Sequence, residues 1–225
     1  MITESLYQNY QNQLLSTDGR AGCKVIVKQL LTDGIQIKDL YVNLFQRSLY
    51  EVGVLWETSE ISVATEHFYT AVTESLISLA YPYMFASKYQ GKKAIISCTP
   101  GEYHQIAGRM VADYFELNGW DGLYLGASIP EGEIIDFITD NYPDLLAVSM
   151  TVSFSLDSLQ SLVHKVQQYF PDLPIVVGGQ GFNWKGIDAN LAGSINKLKK
   201  MNNVYVINSL DELDEKILKP MNNDF

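Results

Sequence analysis

The chain has 225 residues, 47% of them hydrophobic and 19% charged, enough for one large or two small domains. Its formal net charge is −10, and its richest cationic run is only Lys197, Lys199 and Lys200, so direct nucleic-acid binding through phosphates is not expected. No secretory segment follows Met1, no run of about 18 apolar residues marks a membrane span, and the two cysteines, Cys23 and Cys98, read as buried free thiols of a cytoplasmic protein.

The first 88 residues show helical periodicity and no convincing strand. A first helix is predicted over residues 2–15 and a second over 20–31, with Asp18 as N-cap in the break between them. A third covers 37–56, with Leu40, Leu44, Leu49, Val52 and Leu55 available to one side. A fourth covers 61–86 and is bent by Pro82. Helices of this length with short connections predict an antiparallel four-helix bundle as a domain over 1–88.

Residues 89–93 read as a linker, after which the pattern changes. Apolar runs at 94–97, 123–125, 145–149, 175–177 and 204–207 alternate with helical stretches at 104–118, 131–141, 156–170 and 187–200. A last helix is expected over 210–218, N-capped by Ser209. The alternation predicts an α/β domain over 93–225: a doubly wound, five-stranded parallel sheet, Rossmann-like or flavodoxin-like.

The most informative stretch is Glu102-Tyr103-His104-Gln105-Ile106-Ala107-Gly108, just past the first predicted strand. Ligands of open α/β sheets bind outside the carboxyl ends of the strands. A neutral imidazole there, with a carboxylate two residues earlier, can ligate a metal and be oriented by that carboxylate. The chain has only three histidines, so this placement carries weight, although an ordinary surface-loop histidine would also satisfy the pattern. Further on, Ser149-Met150-Thr151 with Ser153 and Ser155 follows the third strand, and Gly178-Gly179-Gln180 follows the fourth.

With these residues in this order, 93–225 resembles a cobalamin-binding Rossmann-like domain of the kind found in methionine synthase and corrinoid methyl carriers. That family carries Asp-x-His-x-x-Gly, then Ser-x-Leu, then Gly-Gly. The resemblance implies that His104 displaces the cofactor's own base and becomes the lower ligand of cobalt, with Glu102 and Ser155 as its partners. It implies that Tyr103, Ala107 and Gly108 lie near the corrin. It also implies a crevice for the nucleotide tail, bordered by Gly178, Gly179 and Gln180 and offered hydroxyls by Ser149, Thr151, Ser153 and Ser155. A bulky residue at Gly179 is then expected to block the tail and leave the fold intact. Capping of the helix beginning near Leu156 is a second role open to Ser155. The chain departs from the pattern at Glu102 for aspartate, at Ala107 with glycine one place late at Gly108, and at Thr151 for leucine.

The helical half is similar to the domain paired with cobalamin domains in light-sensing carotenoid-gene repressors. The shared pattern is Trp-x9-Glu-His, here Trp56, Glu66 and His67. The resemblance implies that the tryptophan covers the upper face of the cofactor and that the Glu-His pair faces an adenosyl group. A buried bundle tryptophan is the plainer alternative. Some of those repressors have a histidine directly after the tryptophan, where this chain has Glu57.

Three functions follow as expectations. The first is a sensor, of light, that uses adenosylcobalamin and signals through a regulatory protein partner or by homo-oligomerisation. The second is a corrinoid protein carrying methyl groups on methylcobalamin. The third is a related photoreceptor that binds a bilin or another tetrapyrrole. No paired catalytic groups stand out, so no intrinsic enzymatic activity is expected. Tyr103, Trp120 and Tyr124 fit core packing and a place near the corrin equally well, and His164 reads as an ordinary helix-face residue.

Overall fold

The computed structural model describes residues 1–84, 88–182 and 189–222. The chain divides into two compact units, 1–84 and 85–225.

The first unit is helical. Helix α1, Glu4–Leu14, is capped by the Thr3 hydroxyl, and α2 spans Arg20–Thr32. Asp18 is not the cap of α2. Gly19 holds that position without a side-chain bond, because the turn folds so tightly against Gln13 that any side chain there would overlap its carbonyl. Helix α3 runs over 37–57 and contains a π-helical stretch, Leu40–Gln46. The wider turn moves the buried stripe. Leu40, Tyr41, Leu44, Phe45, Ser48 and Val52 are buried, whereas Leu49 and Leu55 are only half-buried. Helix α4, Val63–Ile77, starts at Ser62, whose hydroxyl accepts from the Thr65 N–H at 3.1 Å. It passes into a 3₁₀ turn, Ser78–Tyr83, four residues ahead of Pro82, where the missing N–H ends regular α pairing. The expected extension to Ala86 lies outside the described residues.

The second unit is a parallel sheet of β1 (Lys93–Cys98), β2 (Asp121–Gly126), β3 (Leu145–Ser149), β4 (Ile175–Gly178) and β5 (Val204–Ile207). The strand order is β2-β1-β3-β4-β5. Helices α5 (Ile106–Leu117), α6 (Glu131–Asn141), α7 (Leu156–Tyr169) and α8 (Ala189–Lys200) make the crossovers. Ile187, the expected start of α8, is outside the described residues. The closing helix α9 spans 210–222 through a π-helical stretch, Asp214–Leu218, and its Ser209 hydroxyl caps the Glu212 N–H at 3.1 Å. No helix among the described residues is long and apolar enough to cross a membrane.

Strand alternation sends side chains to two cores. On one face, Ile95, Leu146, Val148, Ile175 and Val177 pack under α6, α7 and α8. On the other, Ala94, Ile96, Leu145, Ala147 and Val176 pack under α5 and α9, with Phe115 and Trp120 in ring contact at 5.3 Å. Trp120 is therefore a core residue, 1% exposed. Both cysteines are free and buried.

The order 2-1-3-4-5 reverses between β1 and β3, so the loops after these two strands diverge and leave a crevice at the carboxyl edge. The end of β4 seals one side of that edge. A Cβ on Gly178 would lie 2.7 Å from the Ile207 carbonyl oxygen, and one on Gly179 would overlap the Met150 carbonyl. Gly179 also has φ +113°, which L side chains rarely adopt. The bare backbone is thus demanded by the chain's own packing. The expectation that a bulky residue at Gly179 spares the fold is overturned. Gly179→Val should lower the unfolding free energy of the cofactor-free protein by roughly 1–3 kcal/mol or more. A urea curve superimposable on wild type would contradict this.

Candidate functional site

The loop after β1 breaks the expected helix start. Helix α5 begins at Ile106, with Gln105 as its N-cap, so Tyr103 and His104 are loop residues rather than helical ones. Thr99 fixes the near end of this loop. Its N–H and its hydroxyl both reach the Ser149 carbonyl of β3, at 2.9 and 3.0 Å. The Glu102 N–H then closes a turn on the Thr99 carbonyl at 2.9 Å.

The Glu102 side chain is wholly buried and points across the crevice. Its Oε2 accepts the Thr151 N–H at 3.0 Å and, more weakly, the Val152 N–H at 3.5 Å. Its Oε1 lies 2.6 Å from Nδ1 of His104. With both oxygens accepting, Nδ1 is the donor, and Nε2 is the ring atom suited to a metal. The imidazole is 48% exposed, so it stands at the surface on a buried anchor. The loop after β2 joins the same cluster through the Ser128 N–H, 2.9 Å from the Glu102 carbonyl.

Ser149 ends β3, and its buried hydroxyl oxygen has no hydrogen-bond partner among the described residues. A buried hydroxyl without a partner is costly and marks a place where a polar ligand group would be welcome. Ser153 and the buried Ser155 lie in the 3₁₀ turn Ser153–Ser155 ahead of α7. Ser155 occupies the N-cap position of α7, yet its hydroxyl makes no capping bond. Gln180 follows the glycine pair in the turn Gln180–Phe182, tied to β3 by the Gly181 N–H on the Met150 carbonyl at 3.0 Å. Ala107 and Gly108 form the first turn of α5, and Gly108 packs against Tyr124 and Cys98.

The structure thus gathers the residues of three strand ends along one edge, and it adds some the sequence reading missed. Thr99 and Ser128 act through backbone and hydroxyl bonds that leave no motif. Phe154 is 84% exposed and Tyr103 is 78% exposed, an aromatic on each loop flanking the switch point. An apolar residue between two serines at a strand end was the available signal for Phe154.

In the helical unit, Trp56 is 44% exposed near the end of α3, which excludes the plainer reading of a buried bundle tryptophan. Glu66 lies in the first turn of α4. Its carboxylate accepts the Thr70 hydroxyl at 2.8 Å and contacts Nδ1 of His67, which is itself exposed. Ser59, at φ +61°, turns the chain between the two helices. His164 is exposed on α7 and pairs with Gln168.

A doubly wound sheet with a carboxylate-anchored imidazole at its switch point has the form of a domain that binds a small ligand at the carboxyl edge of its strands. Comparison with known proteins supports that class. Residues 92–190 match the B12 binding domain family, and residues 15–81 match a second family model, also described as a B12 binding domain. The chain belongs to the B12-binding-domain proteins and is a cobalamin-binding protein.

It is 26% identical over 133 residues to the HTH-type transcriptional repressor CarH of Myxococcus xanthus, covering 58% of this chain and 44% of that protein. It is 21% identical over 140 residues to monomethylamine corrinoid protein 1 of Methanosarcina acetivorans, covering 60% of this chain and 64% of that protein. The chain therefore spans less than two thirds of either relative. Its fold is that of the Methanosarcina barkeri monomethylamine corrinoid protein, with a TM-score of 0.80 at 15% identity over 98% of this chain and 100% of that one. The chain's own groups fit cobalamin: an anchored imidazole of the kind that could hold a metal, and a buried Ser149 hydroxyl at the end of β3 that is unpartnered among the described residues.

Removing the anchor should be felt without any cofactor. Glu102→Ala leaves the half-buried Thr151 N–H without its carboxylate and should cost roughly 1–3 kcal/mol of stability. Glu102→Gln keeps an acceptor for that N–H and should cost less. Chemical unfolding of the two variants checks the order. Equal stability of Glu102→Ala and wild type would show that the carboxylate does not tie the loops.

Proposed function

We propose that the protein is a cobalamin-dependent sensor, with His104 as the ligand below cobalt and adenosylcobalamin as the working form. The observation that carries the ligand assignment is the 2.6 Å contact between His104 Nδ1 and the buried Glu102 carboxylate at the switch point. That contact fixes the tautomer and aims Nε2 outward. In this reading the crevice along Ser149, Thr151, Ser153, Ser155, Gly178, Gly179 and Gln180 accepts the nucleotide tail. Tyr103, Ala107 and Gly108 border the corrin.

Adenosylcobalamin supplies a cobalt–carbon bond that light breaks. The helical unit, residues 1–88 in the sequence reading, supplies the upper cover. The exposed Trp56 indole offers a broad apolar lid, and Glu66, steadied by Thr70 and beside His67, offers acceptors for ribose hydroxyls. Loss of the adenosyl group removes those contacts and shifts the equilibrium between conformations. The relative that supports this reading is the transcriptional repressor. The net charge of −10 points to output through a protein partner or self-association rather than through nucleic acid.

A methyl-carrying corrinoid protein is the second reading, and the monomethylamine corrinoid relative favours it. It keeps His104 and Glu102 in the same roles and asks of Trp56 only that it leave cobalt accessible. In both readings the chain binds and presents a cofactor rather than turning over a substrate itself, and a cytoplasmic location suits both. A bilin-binding relative is less favoured, because an anchored imidazole suits a metal.

The two readings divide on the upper ligand. The sensor should bind adenosylcobalamin about tenfold or more tightly than methylcobalamin in the dark, and Trp56→Ala should remove most of that preference. Green light should change its elution volume or its capture of a partner. Equal affinity for both forms, with no light-dependent change in assembly, would favour the methyl carrier.

A further inference from the structure

Cys98 and Tyr124 take no part in the contacts described for the cofactor, yet both end on the backbone of the histidine loop. Cys98 is the last residue of β1 and is fully buried. Its thiol donates to the His104 carbonyl at 3.4 Å. Tyr124 reaches over from β2, and its hydroxyl donates to the Gln105 carbonyl at 2.7 Å. The two donors lie 3.9 Å apart. They hold consecutive carbonyls at the point where the loop becomes α5. The Gln105 carbonyl also accepts the Arg109 N–H at 3.0 Å, so the phenol braces the first turn of the helix as well as the loop.

The sequence makes room for this pair in two ways. The β1–β2 register slips by one residue beyond Ile96 and Tyr124, so that Ser97 faces Gly126. A slip of this kind re-aims the neighbouring side chain. On the helix, Gly108 presents no side chain to the pair. A Cβ there would lie 3.1 Å from Cε2 of Tyr124 and 3.4 Å from Sγ of Cys98.

We propose that Cys98 and Tyr124 form a strut that sets the position of the His104 backbone, and that glycine at 108 admits this strut. The proposal rests on the reading of His104 as the metal ligand. Glu102 orients the imidazole ring, while the strut places the backbone from which the ring projects. Both are needed to present Nε2 at a fixed height and direction, because a ring turned correctly on a loose loop still misses the metal. Cys98 and Tyr124 are positioning residues in this account.

The test compares Tyr124→Phe, Cys98→Ala, Cys98→Ser and His104→Ala in the full chain. In the cofactor-free protein, Tyr124→Phe should speed amide exchange over residues 104–109. With adenosylcobalamin and methylcobalamin, Tyr124→Phe and Cys98→Ala should each weaken binding about 3–10-fold, the worth of one hydrogen bond. Each should also move part of the bound cofactor away from the histidine-ligated absorption spectrum. Cys98→Ser keeps a donor and should stay close to wild type. Gly108→Ala should weaken binding in the wild-type background and do so less in a Tyr124→Ala background.

If His104→Ala loses the histidine-ligated spectrum while Tyr124→Phe and Cys98→Ala keep wild-type spectra, affinities and exchange, the strut is wrong and the ligand assignment stands. If His104→Ala itself keeps the wild-type spectrum, the ligand assignment fails and takes the strut's purpose with it.

Discussion

A single buried carboxylate organises the carboxyl edge of the sheet. Burying the Glu102 side chain is costly unless its oxygens are matched by donors. The fold supplies them from the loop after β3, through Thr151 and Val152, and from the ring of His104. Because those donors belong to different segments, the carboxylate staples the two loops that part at the switch point. The Ser128 N–H brings in the loop after β2 through the Glu102 carbonyl. Exchange of aspartate for glutamate at this position leaves the staple intact, since the longer side chain reaches donors across the crevice and the imidazole together.

The same edge is closed on its other side by backbone rather than by charge. Gly178 and Gly179 let β4 turn against the carbonyls of Ile207 and Met150. Between the staple and the glycines lies Ser149, with a buried hydroxyl that the described residues leave without a hydrogen-bond partner. The helical unit shows the complementary arrangement. Its core takes up Tyr7, Tyr10, Tyr41 and Phe45, while Trp56 is left at the surface. Trp120, by contrast, is buried beside Phe115. A large indole exposed at a helix end is surface available to a ligand or partner.

Much of this was legible in the sequence, for physical reasons. Strand runs such as Leu145–Ser149 and Val204–Ile207 are short, mostly apolar and bounded by turns, and the expected spans match the observed ones. The fold class followed from their alternation with helical periods. The pairing of Glu102 with His104 could be anticipated because both lie in one short loop. The start of α5 could not, because nothing local marks the switch from loop to helix: Gln105 caps without a side-chain bond. The π-helical stretch in α3 was also invisible, since an i, i+4 pattern reads the same until the buried stripe is seen to pass Leu49 by. The Gly19 turn depends on a carbonyl six residues away, and the strut of Cys98 and Tyr124 joins residues 26 apart. Such contacts are fixed by packing, not by local pattern.

The central claim is that a protein imidazole, anchored by Glu102, takes the place of the cofactor's own base beneath cobalt. The direct measurement is electron paramagnetic resonance of the cobalt(II) form bound to protein labelled with nitrogen-15 only in histidine. Nitrogen-14 has spin one and splits each cobalt line into three, whereas nitrogen-15 has spin one-half and splits it into two. The account predicts that labelling converts the three-line pattern to two lines, and that His104→Ala abolishes the conversion. An unchanged three-line pattern in the labelled protein would mean that the cofactor keeps its own base, and would contradict the account.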